Sequence, residues 1–330
     1  PLKLIEIYGA DGVRTGMLFS SPAGNDLPFD EKLVEQGRNF CNKIWNAFRL
    51  IDSWETKPIA EMENDAAINW FENRFHQALE EIEDHFTKFR ISDALMATYK
   101  LIWDDFCSWY LEMIKPPFQQ PIDQATQLKT VDFFENLLKL LHPFMPFISE
   151  ELWHQLGERK EGEAIMLASW PQLKSFDEKI ILETQQVFEV VSQIRNIRAT
   201  KGISPKESFQ LTIHTNNQNL YRSCEGMLRK LANIDTLNFE GEVQNAANFV
   251  VKSDEFFIPL EEKIDLDLEK ENLKKEIAYT QGFLASVTKK LGNERFVNHA
   301  PKDVVEKEKR KMSDAQAKLT ILKDNLNKLG

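Results

Sequence analysis

Two stretches near the end of this chain repeat apolar residues every seven positions, with a break between them. Leu273, Thr280 and Val287 form one series and Ile277, Leu284 and Leu291 another. Gly292 and Asn293 interrupt the repeat, and Pro301 follows, a residue suited to the first turn of a helix. Val305, Met312, Leu319 and Leu326 then resume it, interleaved with Ala315, Leu322 and Leu329. A heptad keeps one apolar seam turned towards a partner helix, and a Gly-containing break lets the chain fold back. Residues 263–330 are therefore expected to form an antiparallel coiled-coil hairpin, each helix reaching roughly 40 Å.

The 330 residues suit two or three domains, and 23 Phe and 7 Trp supply ample core. Residues 1–35 read as a short helix, a turn-rich stretch and the start of another helix, too little for a core and expected as a remnant of a preceding region. Residues 36–177 read as a helical bundle. Phe40, Ile44, Ala47 and Ile51 mark one helix face; Ala67, Phe71, Phe75, Ala78 and Ile82 mark a second. Ser92 is expected to cap a third helix, with the stripe Leu95, Tyr99, Ile102, Phe106, Trp109 and Met113 ended by Pro116. Two more helices are expected over 130–141 and from Pro146, and residues 161–177 read as a linker. Residues 178–262 read as an α+β unit: a helix, a strand marked by Phe209, Leu211 and Ile213, a helix over 217–232, and short strands near 237–239, 249–251 and 256–258. The fold class is mainly α.

Net charge is −11, which argues against a polyanion partner until its distribution is considered. Residues 263–330 hold 15 Lys/Arg and 11 Asp/Glu, so the tail is net positive and the rest strongly negative. A polarised chain can hold a polyanion through one stretch, although charged helices are commonly only solvated faces. Lys289, Lys290 and Arg295 flank the expected turn; Lys302, Lys307, Lys309, Arg310 and Lys311 follow it.

A second stripe runs beside the apolar one on the helix of residues 36–51: Arg38, Asn42, Trp45 and Arg49. From Gln36 to Ile51 there are three bases and no acid. Trp offers a stacking face, Asn a paired donor and acceptor, and Arg a phosphate clamp, a set suited to unstacked RNA bases. The alternative places Trp45 in the core and Asn42 idle on the surface. His142, between a helix end and Pro143, reads as a structural histidine.

Other chemistry is excluded. Cys41, Cys107 and Cys224 are far apart and odd in number, which fits reduced thiols and no metal site. Such thiols suit a cytoplasmic protein, and no apolar run approaches a membrane span, so none is expected. Lys311-Met312-Ser313-Asp314-Ala315 resembles a nucleotide loop, but Met312 and Ala315 fall on the heptad seam. A chain opening on Pro1 without Met is expected to be a piece of a longer protein.

The residues also carry a family resemblance. Residues 138–154, Leu-Lys-Leu-Leu-His-Pro-Phe-Met-Pro-Phe-Ile-Ser-Glu-Glu-Leu-Trp-His, resemble a segment shared by the synthetases that charge tRNA with valine, isoleucine and leucine. Residues 38–49 resemble the first helix of their anticodon-binding domain, and Tyr8-Gly9-Ala10-Asp11-Gly12-Val13-Arg14 the stretch after their Lys-Met-Ser-Lys-Ser loop. Asp105-Phe106-Cys107-Ser108-Trp109-Tyr110-Leu111-Glu112 fits as well. Met166-Leu167-Ala168-Ser169-Trp170-Pro171 and Arg295-Phe296-Val297-Asn298-His299-Ala300-Pro301 resemble the valyl-tRNA synthetase family in particular.

That resemblance implies an anticodon set of Arg38, Asn42, Trp45, Asn46 and Arg49. It implies an arm that grips the outer corner of a valine-specific tRNA through Lys289, Lys290, Arg295, Lys307, Lys309, Arg310 and Lys311. It implies a monomeric parent that uses ATP and magnesium. The family's His-x-Gly-His turn and Lys-Met-Ser-Lys-Ser loop are both missing from the sequence, so no catalytic residue and no cofactor is assigned here. The competing readings are the isoleucine or leucine enzyme, which the tail disfavours, and a non-enzymatic scaffold whose coiled coil binds a protein.

Overall fold

The computed structural model describes residues 2–20, 29–58, 64–241, 246–259, 266–293 and 302–328. They form two compact units, Pro1–Leu182 and Glu183–Gly330.

The first unit is helical. α1 (Leu2–Tyr8) and α2 (Ala10–Phe19) join at Gly9, whose φ of 75° is left-handed and suits only a residue without Cβ. α2 lies on α3 (Glu31–Asp52) at backbone contact. A Cβ on Gly37 would fall 2.4 Å from the Gly12 carbonyl oxygen, and one on Gly16 would fall 2.5 Å from Val34 Cα. α1 and α2 thus pack with α3 into this unit. α3 opens where the Asp30 carboxylate accepts from the Lys32 amide at 2.9 Å. Val34, Gly37, Phe40, Ile44, Ala47, Phe48 and Ile51 form its buried face, the expected stripe lengthened towards the N-terminus.

The bundle core gathers around Phe71 on α4 (Asp65–Thr87). Its ring lies 5.2 Å from Phe106, 4.9 Å from Tyr110 and 5.0 Å from Phe133. Full burial of such a side chain contributes about 1.5–3 kcal/mol. α5 (Ile91–Lys100) continues through a π-helical stretch, Leu101–Tyr110, into α6 (Leu111–Ile114). This corrects the plain α-helix expected there. The wider winding shifts the face: Tyr110 is fully buried, while Trp109 is only half-buried. The Tyr110 hydroxyl shares a 2.9 Å hydrogen bond with Thr130 on α7 (Gln124–Leu141). Ser92 is not a cap either. α5 follows Arg90, and the Ser92 hydroxyl donates to the Leu18 carbonyl at 2.8 Å, tying α5 to α2. α8 (Pro146–Gln155) completes the bundle. Two strands too short for any periodicity, β1 (Thr56–Lys57) and β2 (Ile122–Asp123), pair in parallel.

The second unit opens within α9 (Glu178–Lys201). Its sheet has the order β4-β3-β6-β5, from β3 (Phe209–His214), β4 (Ile234–Asn238), β5 (Ala246–Val251) and β6 (Asp254–Pro259). β3 and β4 are parallel and the other pairs antiparallel. The parallel pair needs a crossover, supplied by α10 (Gln218–Ser223) and α11 (Glu225–Ala232) where one helix was expected. Arg198 of α9 is buried and donates to the carbonyls of Ser204, Glu207, Ala232 and Asn233, with its guanidinium 4.2 Å over the Phe209 ring. One cation thereby gathers four carbonyls from the turns around it.

α12 (Leu266–Leu291) and α13 (Lys302–Lys328) pack along each other as the hairpin. Leu273, Thr280, Val287, Val305, Ala315 and Leu322 are buried along the seam. Ile277, Leu284, Leu291, Met312, Leu319 and Leu326 are half-buried beside them. Leu329 lies outside the described residues.

Candidate functional site

The exposed side of α3 carries Arg38, Asn42, Trp45, Asn46 and Arg49. The opposite side fills the bundle core, so burial of the apolar stripe fixes which residues face outward. Trp45 is 38% exposed, with its ring 6.1 Å from Phe48, so it rests on the core without belonging to it. Among the described residues no carboxylate pairs with Arg38 or Arg49. The surface is therefore a row of amide and guanidinium groups around one accessible indole, groups that can hydrogen-bond and stack on an unstacked base. Lys43, on the flank of the same helix, lies 5.4 Å from the centre of the Trp103 ring.

Two of the segments that resemble the synthetases meet in space. The Asp11 carboxylate accepts from the Phe147 and Ile148 amides at 3.4 and 2.7 Å, capping α8, whose own first residue is a proline. Burial raises the Asp11 pKa, against the lowering effect of those amides. Arg14 donates to the Phe144 and Pro143 carbonyls at 3.2 and 3.3 Å. His142 shares a 2.8 Å hydrogen bond with Ser149, and burial lowers its pKa. It is a structural histidine in this geometry. The motif residues lock α2 to the α7–α8 turn and thereby seat α3 from one side.

On the arm, the expected bases divide into two groups. Lys290 and Lys311 both hold the buried Glu308 carboxylate, at 3.2 and 2.9 Å, and Lys309 pairs with Glu306 at 3.2 Å. Lys289, Lys307 and Arg310 are exposed, and among the described residues they carry no ion pair. Arg295 lies outside the described residues, as does the Lys302 side chain.

Residues 69–214 match the family described as the anticodon-binding domain of tRNA ligase. Residues 265–330 match the valyl tRNA synthetase tRNA binding arm. Along its full length the chain is 52% identical to a valine–tRNA ligase of Christiangramia forsetii, covering 38% of that protein. The chain belongs to the valyl-tRNA synthetase family. It is also 46% identical to the enzyme named valine–tRNA ligase in Parabacteroides distasonis and 35% to that of Lactiplantibacillus plantarum, over 99% of this chain in each case. It spans 37% and 38% of those two proteins. The α3 stripe precedes the matched anticodon-binding range, so its assignment rests on the exposure and chemistry of its own residues.

Sequence reasoning missed Glu308, although its spacing of seven from Ala315 was available, because no charged residue was expected on the seam. It also missed the pairing of Arg74 with Asp105 at 2.9 Å. Burial raises Asp105 to about 6 despite that cation. Among the described residues no group of three or more His, Cys, Asp and Glu is placed to hold a metal, and no helix is long and apolar enough to cross a membrane. The three cysteines are free thiols, and burial pushes Cys41 and Cys107 up to about 12, far from nucleophilic.

Proposed function

We propose that this chain is the tRNA-binding, C-terminal part of a valine–tRNA ligase. α3 faces the anticodon and the arm grips the outer corner of a valine-specific tRNA. The parent attaches valine to tRNA with ATP and magnesium, acts as a monomer in the cytoplasm, and keeps its activation chemistry outside these 330 residues. The observation that carries the reading is the presence, in one chain, of an exposed Arg/Asn/Trp face on α3 and a hairpin bearing exposed Lys289, Lys307 and Arg310, which carry no ion pair among the described residues.

The test is tRNA affinity across a salt series. Changing Lys289, Lys307 and Arg310 to Ala should weaken binding of all tRNAs alike. It should flatten the salt dependence by roughly 0.7–0.9 log units per log salt for each phosphate that the arm no longer neutralises. Equal affinities and parallel lines would remove the arm as a tRNA-binding surface and favour a protein-binding coiled coil. Valine-dependent ATP–pyrophosphate exchange by the purified chain would refute the division of labour.

A further inference from the structure

We propose that Phe118 is a stacking platform for an unpaired base of the anticodon loop; this rests on the reading of α3 as the anticodon-facing helix. Phe118 is 91% exposed, at the middle of the connection Lys115-Pro116-Pro117-Phe118-Gln119-Gln120-Pro121. Solitary exposed apolar side chains are common, so exposure alone says little. What distinguishes Phe118 is how firmly its backbone is held.

Three prolines fix φ in a seven-residue connection. The Gln120 amide donates to the Pro117 carbonyl at 3.0 Å, closing a tight turn, and Gln119 adopts a left-handed φ of 59°. A non-glycine residue persists there only when its surroundings over-determine it. Both ends are anchored, since Ile114 and Ile122 are buried. The Ile122 amide donates to the Glu55 carbonyl at 2.9 Å, β2 pairs with β1, and Asp123 caps α7 by accepting from the Thr126 amide at 2.7 Å.

Glu55 and β1 follow directly on the last turn of α3. The platform is thus fastened to the end of α3 that bears Trp45 and Arg49. Phe89 makes the contrast. It too is exposed, and is itself left-handed with φ 57°, but its neighbour Ser92 is tied to Leu18, beside the first turns of α3. A rigid aromatic face presented without a polar group binds a flat apolar surface, and every nucleobase has one.

The test uses the full 330-residue chain and a tRNA with a valine anticodon, carrying 2-aminopurine at single anticodon-loop positions. Phe118→Ala should weaken binding about five-fold or more and abolish the fluorescence quench at one position. Phe118→Trp should restore both, and the melting temperature should not move. Wild-type affinity and an intact quench in Phe118→Ala, with Trp45→Ala still weakening anticodon discrimination, would overturn the platform alone. Loss of affinity that persists for a tRNA lacking its anticodon loop would overturn it too. If wild type neither discriminates anticodons nor quenches any position, the reading of α3 falls, and the platform with it.

Discussion

Lys290 Nζ on one helix of the hairpin lies 3.2 Å from Glu308 Oε1 on the other. Lys311, one turn along from Glu308, holds the same oxygen at 2.9 Å. Glu308 precedes Ala315 and Leu322 at heptad spacing, so a carboxylate occupies a seam position where an apolar residue would pack. A carboxylate held at a seam by two half-exposed ammonium groups stabilises little in itself, but it is satisfied in one register only.

Replacing Glu308 with Leu should therefore raise the thermal midpoint of the arm, read by circular dichroism, while loosening its register. Hydrophobic replacement of buried ion pairs is often neutral or stabilising. A marked drop in the midpoint would mean that the ion pair is itself a net source of stability.

Acid should act on the same residue. The ammonium groups of Lys311 and Lys290 hold the Glu308 carboxyl below the ordinary carboxylate range. A depressed carboxylate contributes stability that is complete above its unfolded value, about 4.3, and lost as pH falls through the folded value. The wild-type arm should lose melting temperature over that acid range, and Glu308→Leu should lose less.

Asp105 behaves in the opposite sense. Burial favours its protonated form and places it at about 6, above its unfolded value. The stability it contributes is complete below about pH 4 and lost as pH rises through its folded value. Asp105→Asn should flatten the pH dependence of melting over that window. An unchanged profile would show that the Arg74 pairing dominates.

Trp45→Ala should leave the melting temperature nearly unchanged, because its side chain is partly exposed. It should cost about 1–3 kcal/mol of binding to the valine anticodon, measured by competition between tRNAs differing only there. A large fall in stability with selectivity intact would return Trp45 to the core.

The hairpin was legible in the sequence because a heptad spans many residues and leaves few alternatives. The α3 faces were legible for the same reason. The π-helical stretch was not, since Ile102 and Phe106 satisfy an α-helical period, and only the packing of Tyr110 against Phe71 and Thr130 favours the wider winding. β1 and β2 are two residues each, too short for any pattern. Ser92 had a cap's chemistry, but a tertiary acceptor, the Leu18 carbonyl, took its hydroxyl. The arm bases were visible as charges. Which of them a carboxylate already holds depends on the second helix and had to be seen in three dimensions.

Gly37→Ala should destabilise the first unit by about 1–3 kcal/mol in urea denaturation, in spite of alanine's better helix propensity. The added Cβ would meet the Gly12 carbonyl oxygen at 2.4 Å, and that oxygen is backbone and cannot swing aside.

The same close approach has a mechanical consequence. Between most packed helices, side chains form a compliant layer in which a small push is absorbed by rotamer changes. At Gly12, Gly16 and Gly37 that layer is missing. A displacement of α2 is passed undamped to α3, and the stripe from Arg38 to Arg49 travels with it. The helix α2 near the start of this chain and the exposed stripe of α3 behave as one lever.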